Sequence, residues 1–341
     1  MEAKTAIQSS MFDEALLDGM PNCWHAILPS DELKEKPVGV RRLEKDLVLW
    51  RDRSGTAHLF PDFCPHRGSA LSQGDVVDGN LACWYHGIQY DGDGVCREVP
   101  ASIKSALIGK LKIQKYRLEE RCGMLWAYFG DEERYPAPPL TLAEEVTDPA
   151  WTWFIARAKW NINWLYIVDN LVDPMHGPFL HAKSYTLRFG AKGDSMRVID
   201  FDNGFRVERE GQKGVNFDWT EYRHTGIHWF RLDIPYPWSA GPGGPMRVVC
   251  FITPVDRNCT QAYFFRGRKI TGWRKRLWRA LYKTRLEAKH WTVLEQDRVA
   301  LEAIEQAARH HERLCESDVG VIQMRRLMTK EVRRHTENGA S

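Results

Sequence analysis

Cys64-Pro65-His66-Arg67-Gly68 and, after sixteen residues following His66, Cys83-Trp84-Tyr85-His86-Gly87 decide how this chain is read. Each stretch supplies one thiolate and one imidazole, then a glycine that lets the backbone fold tightly. Such a Cys₂His₂ set can hold one tetrahedral zinc. It can also hold a [2Fe–2S] cluster, with two thiolates on one iron and two imidazoles on the other. Zinc knuckles usually pair Cys with Cys and His with His. Here both knuckles are mixed, Cys-x-His and Cys-x-x-His, as a two-iron cluster reached by both loops requires.

The surrounding residues read as short strands and turns from 38 to 130. Asp46–Trp50, His58–Phe60 and Met124–Phe129 are strand-like, and Asp91-Gly92-Asp93-Gly94 is a hairpin signal. Tyr135-Pro136-Ala137-Pro138-Pro139 ends the pattern, because proline at that density fits neither a helix interior nor a central strand. The expected organisation is an N-terminal extension over 1–21, an all-β domain over 22–138 and a mixed domain over 139–341. Strands are expected at Trp151–Trp160, Gly204–Arg209, Met246–Thr253 and Gln261–Arg266, and helices over about 162–176 and 286–311.

A second constellation lies in the later part. On a helix, Asp169, Asp173 and His176 share a face at i, i+4 and i+7. Gly177-Pro178 ends that helix, so His181 can turn back toward His176. The bland alternative is a solvated acidic face. Downstream, Val293, Leu294, Ala300, Leu301 and Ile304 form an apolar stripe with Asp297 in its midst, while Glu295 and Glu302 point away. A buried carboxylate is costly unless paired or metal-bound, so Asp297 is either a third ligand or the partner of a buried arginine. Two His and one carboxylate form a facial triad that leaves iron(II) open positions.

Composition bounds the rest. The chain has 341 residues, 14 Trp and a formal net charge of +3, which points to neither nucleic acid nor membrane. No apolar run approaches the roughly 20 residues that span a bilayer. Residues 1–20 lack the basic and apolar regions of a signal peptide, so the cytoplasm is the expected compartment. There the eight cysteines should be thiols or ligands. Arg266 to Lys289 carries ten Lys/Arg against one Glu, either a solvated face or a docking patch for an acidic electron donor.

The CPHRG and CWYHG loops resemble the Rieske domains of bacterial aromatic-ring oxygenases. Asp-x-x-His-x₄-His followed far downstream by Gln296-Asp297 resembles the catalytic domain of Rieske oxygenase α subunits, most of all the monooxygenase and O-demethylase branch. The resemblance runs from about residue 22 to 312; Trp84, where the family often has Pro, is a departure between ligands. It implies an α+β fold: an all-β Rieske domain plus an antiparallel catalytic sheet covered by helices, of the helix-grip, START-like kind. It implies that Cys64 and Cys83 bind the inner iron of a Rieske cluster and His66 and His86 the outer one, with Arg67 and Tyr85 packed nearby. His176, His181 and Asp297 would bind a mononuclear Fe(II). Asp173 would bridge His176 and a neighbouring protomer's His86 in a homotrimer.

The implied activity is oxidation of an aromatic or polycyclic substrate with dioxygen, by hydroxylation or O-demethylation. Electrons would come from a separate NAD(P)H-dependent reductase, with or without a ferredoxin, since no dinucleotide fingerprint is present. The rivals are ring cis-dihydroxylation, a Rieske electron-transfer protein without oxygenase activity, and a zinc-bound binding module. Asn216, Phe217, Trp219, His224 and Trp291 are the expected substrate wall, and Gly190–Asp194 and Gly241–Gly244 the expected covering loops.

Overall fold

The computed structural model describes residues 14–184, 187, 195–211, 219–236 and 241–337. They fall into two compact units. The smaller holds Asn22–Pro138 and Thr253–Asp256; the larger holds the described residues of Met1–Pro21, Pro139–Ile252 and Arg257–Ser341. The N-terminal stretch up to Pro21 therefore groups with the larger unit. The carbonyl of Leu16 accepts from Trp164 Nε1 at 2.7 Å and that of Leu17 from Asn163 Nδ2 at 3.0 Å.

The smaller unit is built of three antiparallel sheets. Met124–Phe129 sits between Cys23–Pro29 and Leu118–Arg121, and Lys45–Arg51 between Val38–Arg42 and Ala57–Pro61. The third orders Asp75–Val77, Asn80–Ala82, Gln89–Tyr90 and Cys96–Glu98. Leu47 to Trp50 and all of Met124–Phe129 are buried, which explains their uninterrupted apolar character. The Asp91–Gly94 turn joins two strands, and the Asp91 carboxylate accepts the N–H groups of Asp93 and Val95 at 3.0 and 2.9 Å. Both Cys-His loops hang from this framework. One follows Ala57–Pro61, and the other links Asn80–Ala82 to Gln89–Tyr90. Cys64 and Cys83 enter one core with Trp50, Phe60, Leu71 and Tyr90.

The larger unit carries a seven-stranded antiparallel sheet. Its order is Trp151–Trp160, Cys259–Lys269, Met246–Asp256, His228–Ile234, Trp219–His224, Gly204–Arg209, Met196–Phe201. The helix Val319–Glu337 packs on the last two strands. The helix Glu287–Glu302 faces the sheet elsewhere, where Arg266 of a strand lies 5.4 Å from the Trp291 ring centroid. The fold is thus α+β as the resemblance implied, but three local expectations fail. The helix expected over 162–176 ends at Leu171, and Pro174–His176 is a separate 3₁₀ turn. Pro174 favours that break, since an interior proline removes a helical hydrogen bond and clashes with the preceding turn. Gly177-Pro178 starts a short helix, Gly177–Leu180, instead of ending one, because Pro suits a first turn. The late helix ends at Glu302, so Ile304 lies beyond it and is 39% exposed. The basic run is also split: Arg266 and Arg268 are strand residues buried to 2% and 0% exposure, not part of a surface patch.

Gly320 links this packing to the second constellation. A Cβ there would sit 2.4 Å from the Val172 carbonyl oxygen and 2.7 Å from Val207 Cγ2, so the helix end before Asp173 would have to shift. Gly320→Ala should therefore lower stability by about 1–3 kcal/mol. Thermal unfolding and bound-metal content should fall together; an unchanged melting temperature would remove Gly320 as the reason for this close approach.

Candidate functional site: a metal triad under a cavity and a Cys₂His₂ set

His176, His181 and Asp297 come together, with one ligand atom from each lying within 4.8 Å of the others. Asp297 Oδ1 is 3.1 Å from His181 Nε2 and 3.6 Å from His176 Nε2. Asp173 caps the 3₁₀ turn by accepting Met175 N–H at 2.8 Å, which fixes the backbone before His176. His176 Nδ1 lies 2.5 Å from the Asp173 carbonyl oxygen, and His181 Nδ1 lies 2.9 Å from Gln296 Oε1. Both of those oxygens can only accept, so both Nδ1 atoms carry hydrogen. Neutral imidazoles then turn bare Nε2 lone pairs toward Asp297.

Two lone pairs and a carboxylate oxygen facing one another repel unless a cation joins them. Asp297 Oδ1 is buried and has no hydrogen-bond donor. Among the described residues its charged neighbours are these two histidines, not an arginine, which argues against the ion-pair alternative. The donor set therefore fits a divalent metal with N and O ligands. Without metal a proton takes its place. Burial works against protonating His176, yet the Asp173 hydrogen bond and the Asp297 charge outweigh it and hold His176 above the usual imidazole range.

Other acids of the two segments are otherwise engaged. Asp169 is clamped by Arg325 at 2.6 Å and Arg309 at 3.1 Å, so it does not join Asp173 and His176 in one site. Glu295 is exposed and pairs with Arg298. Glu302 does not point away as expected: it is half-buried and accepts the Asn161 N–H at 2.7 Å.

A cavity of about 740 Å³ opens over the triad, its lining including His176, His181 and Asp297 together with Phe264, Arg266 and His290. Trp219 and His224 are not in its lining. Trp219 packs under Arg206, with 5.0 Å to its ring centroid, and His224 stacks on His228 at 4.3 Å. Trp291 contacts the back of Arg266 and borders a separate hollow beside Leu180. Asn216, Phe217 and the Gly190–Asp194 loop lie outside the described residues. Gly241–Gly244 is packed on Arg268, whose guanidinium donates to the Gly241 and Pro242 carbonyls. Sequence reasoning missed Arg266, Tyr236 and His290 as cavity residues. The available signal was one cation closing the apolar strand run Tyr263-Phe264-Phe265-Arg266.

In the smaller unit, Cys64 and Cys83 are buried to 1% and 2% exposure, whereas His66 is exposed and His86 half-buried. The Cys64 N–H donates to the Ser69 carbonyl and Gly68 N–H to that of Cys64; Cys83 and Gly87 repeat the pattern with Ile88. Gly68 and Gly87 sit at φ of 77° and 70°, the left-handed region these turns demand. The imidazoles lie 4.7 Å apart. Burial raises the Cys64 thiol, opposed by hydrogen bonds with Tyr90, at 3.1 Å, and the His66 backbone. Desolvation, then the charges of His66 and Arg67, lower His86 and keep it neutral. All eight cysteines are free of disulfides. Two inward thiols and two outward imidazoles fit a cluster with one buried and one accessible iron. Arg67 lies 5.6 Å from the Tyr85 ring centroid, and Tyr85 packs on His86 at 3.9 Å.

Comparison with known proteins agrees with this geometry. Residues 23–116 match the model of the Rieske [2Fe–2S] domain, and residues 160–334 match that of the vanillate O-demethylase oxygenase C-terminal domain. The chain belongs to the Rieske oxygenase family whose catalytic domain is of the vanillate O-demethylase type. It is 32% identical over 163 residues to the vanillate O-demethylase oxygenase subunit of Pseudomonas sp. (strain HR199 / DSM 7063), covering 48% of this chain and 45% of that protein. It is 33% identical over 264 residues to the 5,5'-dehydrodivanillate O-demethylase oxygenase subunit of Sphingobium sp. (strain NBRC 103272 / SYK-6), covering 69% and 58%. The matches thus span about half the length of these relatives. The fold is that of dicamba monooxygenase bound to dicamba, with TM-score 0.72, 23% identity and 93% and 98% coverage. It is also that of NdmA with caffeine from Pseudomonas putida CBB5, with TM-score 0.77, 22% identity and 92% and 91% coverage. Among the described residues no helix is long and apolar enough to cross a membrane.

The outer hydrogen bond to His181 is directly testable. Gln296→Leu removes the acceptor that fixes the His181 tautomer and should weaken iron binding about 10–100-fold. Iron titration of the apo-protein measures this, with acid-labile sulfide as the internal control; equal affinity would deny Gln296 an orienting role.

Proposed function

We propose that this chain is a terminal oxygenase component that oxidises an aromatic or polycyclic substrate by hydroxylation or O-demethylation. It would use dioxygen and electrons from a separate NAD(P)H-dependent reductase, with or without a ferredoxin. The observation that carries this reading is the donor-free Asp297 oxygen facing two imidazole lone pairs beneath a substrate-sized cavity. An electron-transfer protein has no use for that arrangement. His176, His181 and Asp297 would hold an iron, which would supply dioxygen activation.

The chain's own residues do the remaining work. Gln296 and the Asp173 carbonyl hold the two histidines in the ligating tautomer. The apolar wall excludes water and holds the substrate skeleton against the triad. Cys64, His66, Cys83 and His86 would hold the Rieske cluster that receives electrons. Around its accessible edge, Phe63, Trp84 and Tyr85 are 52%, 64% and 54% exposed. An apolar rim of that kind suits protein contact. The solved oxygenase–ferredoxin complex of carbazole 1,9a-dioxygenase offers one precedent for a ferredoxin partner.

Asp173 is the proposed positioning residue between the centres. Its Oδ2 lies 3.6 Å from His176 Nδ1, and its other proposed partner is His86 of a neighbouring protomer in a homotrimer. The eight free cysteines suit a reducing cytoplasm.

Purified chain with a surrogate reductase should convert a member of a panel of aromatic acids, methoxyarenes and steroids, seen as loss of a methyl group or gain of oxygen by mass spectrometry. Asp297→Ala should abolish turnover and mononuclear iron while the brown-red Rieske absorption persists. Turnover that survives this substitution would sink the oxygenase reading. Asp173→Asn should keep both metal centres and slow turnover about 10–100-fold. A rate equal to the wild type would remove Asp173 from the electron path.

A further inference from the structure

The cavity over the triad has an unbalanced charge. Among the described residues its only carboxylate is Asp297, which a bound metal would claim, against four cations: Lys183, Arg266, Arg285 and Lys289. Three of these lie exposed at its edge. Arg266 is different, being 2% exposed on a central strand of the sheet. Its neighbours are the Tyr282 hydroxyl, 3.1 Å from one guanidinium nitrogen, and the rings of Trp291 and Phe264 at 5.4 and 5.9 Å from their centroids. Among the described residues no carboxylate pairs with it. An arginine keeps its proton inside proteins, and aromatic faces offset only part of the desolvation of a buried cation.

Beside Arg266, His290 lines the same cavity. Its Nε2 bonds to the Tyr236 hydroxyl, while its Nδ1 is buried with no partner. Burial, then the charges of Arg266 and Arg268, lower His290 to about 3, so the ring is neutral and the cluster remains cationic through its arginine. The rest of the wall is hydrocarbon and aromatic: Leu232, Ile234, Met246, Phe264, Leu286 and Val293.

We propose that Arg266 anchors the carboxylate of an organic acid whose apolar skeleton fills the cavity between this anchor and the His176–His181–Asp297 site. The planar guanidinium fork matches a carboxylate in two hydrogen bonds and fixes which end of the molecule reaches the triad. Arg285 and Lys289 at the edge draw anions toward the cavity. Arg266 is thus a specificity-determining residue. The assignment rests on the oxygenase reading only for what happens at the far end of the cavity; the anion site itself is a binding property.

The test compares two probes of nearly equal shape, 4-methoxybenzoate and 4-methoxybenzamide, titrated calorimetrically into the iron-loaded full chain. The acid should bind at least about tenfold tighter than the amide, as hydrogen bonds to a charged group do. Arg266→Met should erase that preference while iron and labile sulfide stay at wild-type levels. Arg266→Lys, which keeps charge and loses the fork, should retain part of it. Equal binding of the two probes, binding of the amide alone, no binding of either, or a preference that survives Arg266→Met would overturn the anchor. If Arg266→Met fails to fold, the wild-type probe pair and Arg266→Lys still decide. Protein lacking a second iron site but preferring the acid would sink the oxygenase reading and leave the anchor standing.

Discussion

A carboxylate oxygen buried against two imidazole lone pairs, with no donor to satisfy it, is the constraint on which the larger unit depends. Such a cluster is unfavourable in an empty fold and favourable around a cation. Its geometry comes from three separate segments. The 3₁₀ turn after Asp173 delivers His176, the short helix Gly177–Leu180 delivers His181, and the long helix Glu287–Glu302 delivers both Asp297 and its neighbour Gln296. Each histidine is oriented from behind by an oxygen that can only accept. The site is therefore set by hydrogen bonds one shell removed from the metal, and these depend on where the helices end.

The treatment of other buried charges in this unit sets the site apart. Glu221, with no exposure, is met by Arg223, Arg231 and Arg206 at 2.7, 2.8 and 3.0 Å. These bonds overcome the effect of its burial, so its pKa is lowered. Glu145 pairs with Arg231 and Arg247, and Asp169 with Arg309 and Arg325. Asp297, with a donor-free oxygen, and Arg266, with no carboxylate partner among the described residues, border one cavity. On the proposed function, these are the two places where a metal and a ligand would complete the site.

The smaller unit solves a different problem. On the proposed function, a cluster there would have to be held firmly yet stay within reach of an electron donor. The thiols belong to the hydrophobic core and the imidazoles to the surface, so the same two loops provide anchorage on one side and access on the other. The left-handed glycines at 68 and 87 make both turns tight enough to present their ligands from a short segment.

Chemistry carried by residue type and short spacing was legible in the sequence. The mixed Cys-His knuckles, the His176–His181 pair, the lone acid among apolar positions at Asp297 and the long strands all depend on local pattern. The all-β first part and the α+β second part follow from the same periodicities. Local pattern misjudged the helix around Asp173, since Asp169, Asp173 and His176 fit a helical face on paper while Pro174 divides the segment. It also did not place Trp219 and His224, which lie on the strand beside His228–Ile234 and outside the cavity lining. Which side chains share a cavity depends on strand order and on how a helix lies across the sheet, and both are set by contacts distant in sequence. Only the tertiary structure could decide that Asp169 is claimed by two arginines while Arg266, in a run that reads as surface charge, is buried without a carboxylate beside the triad.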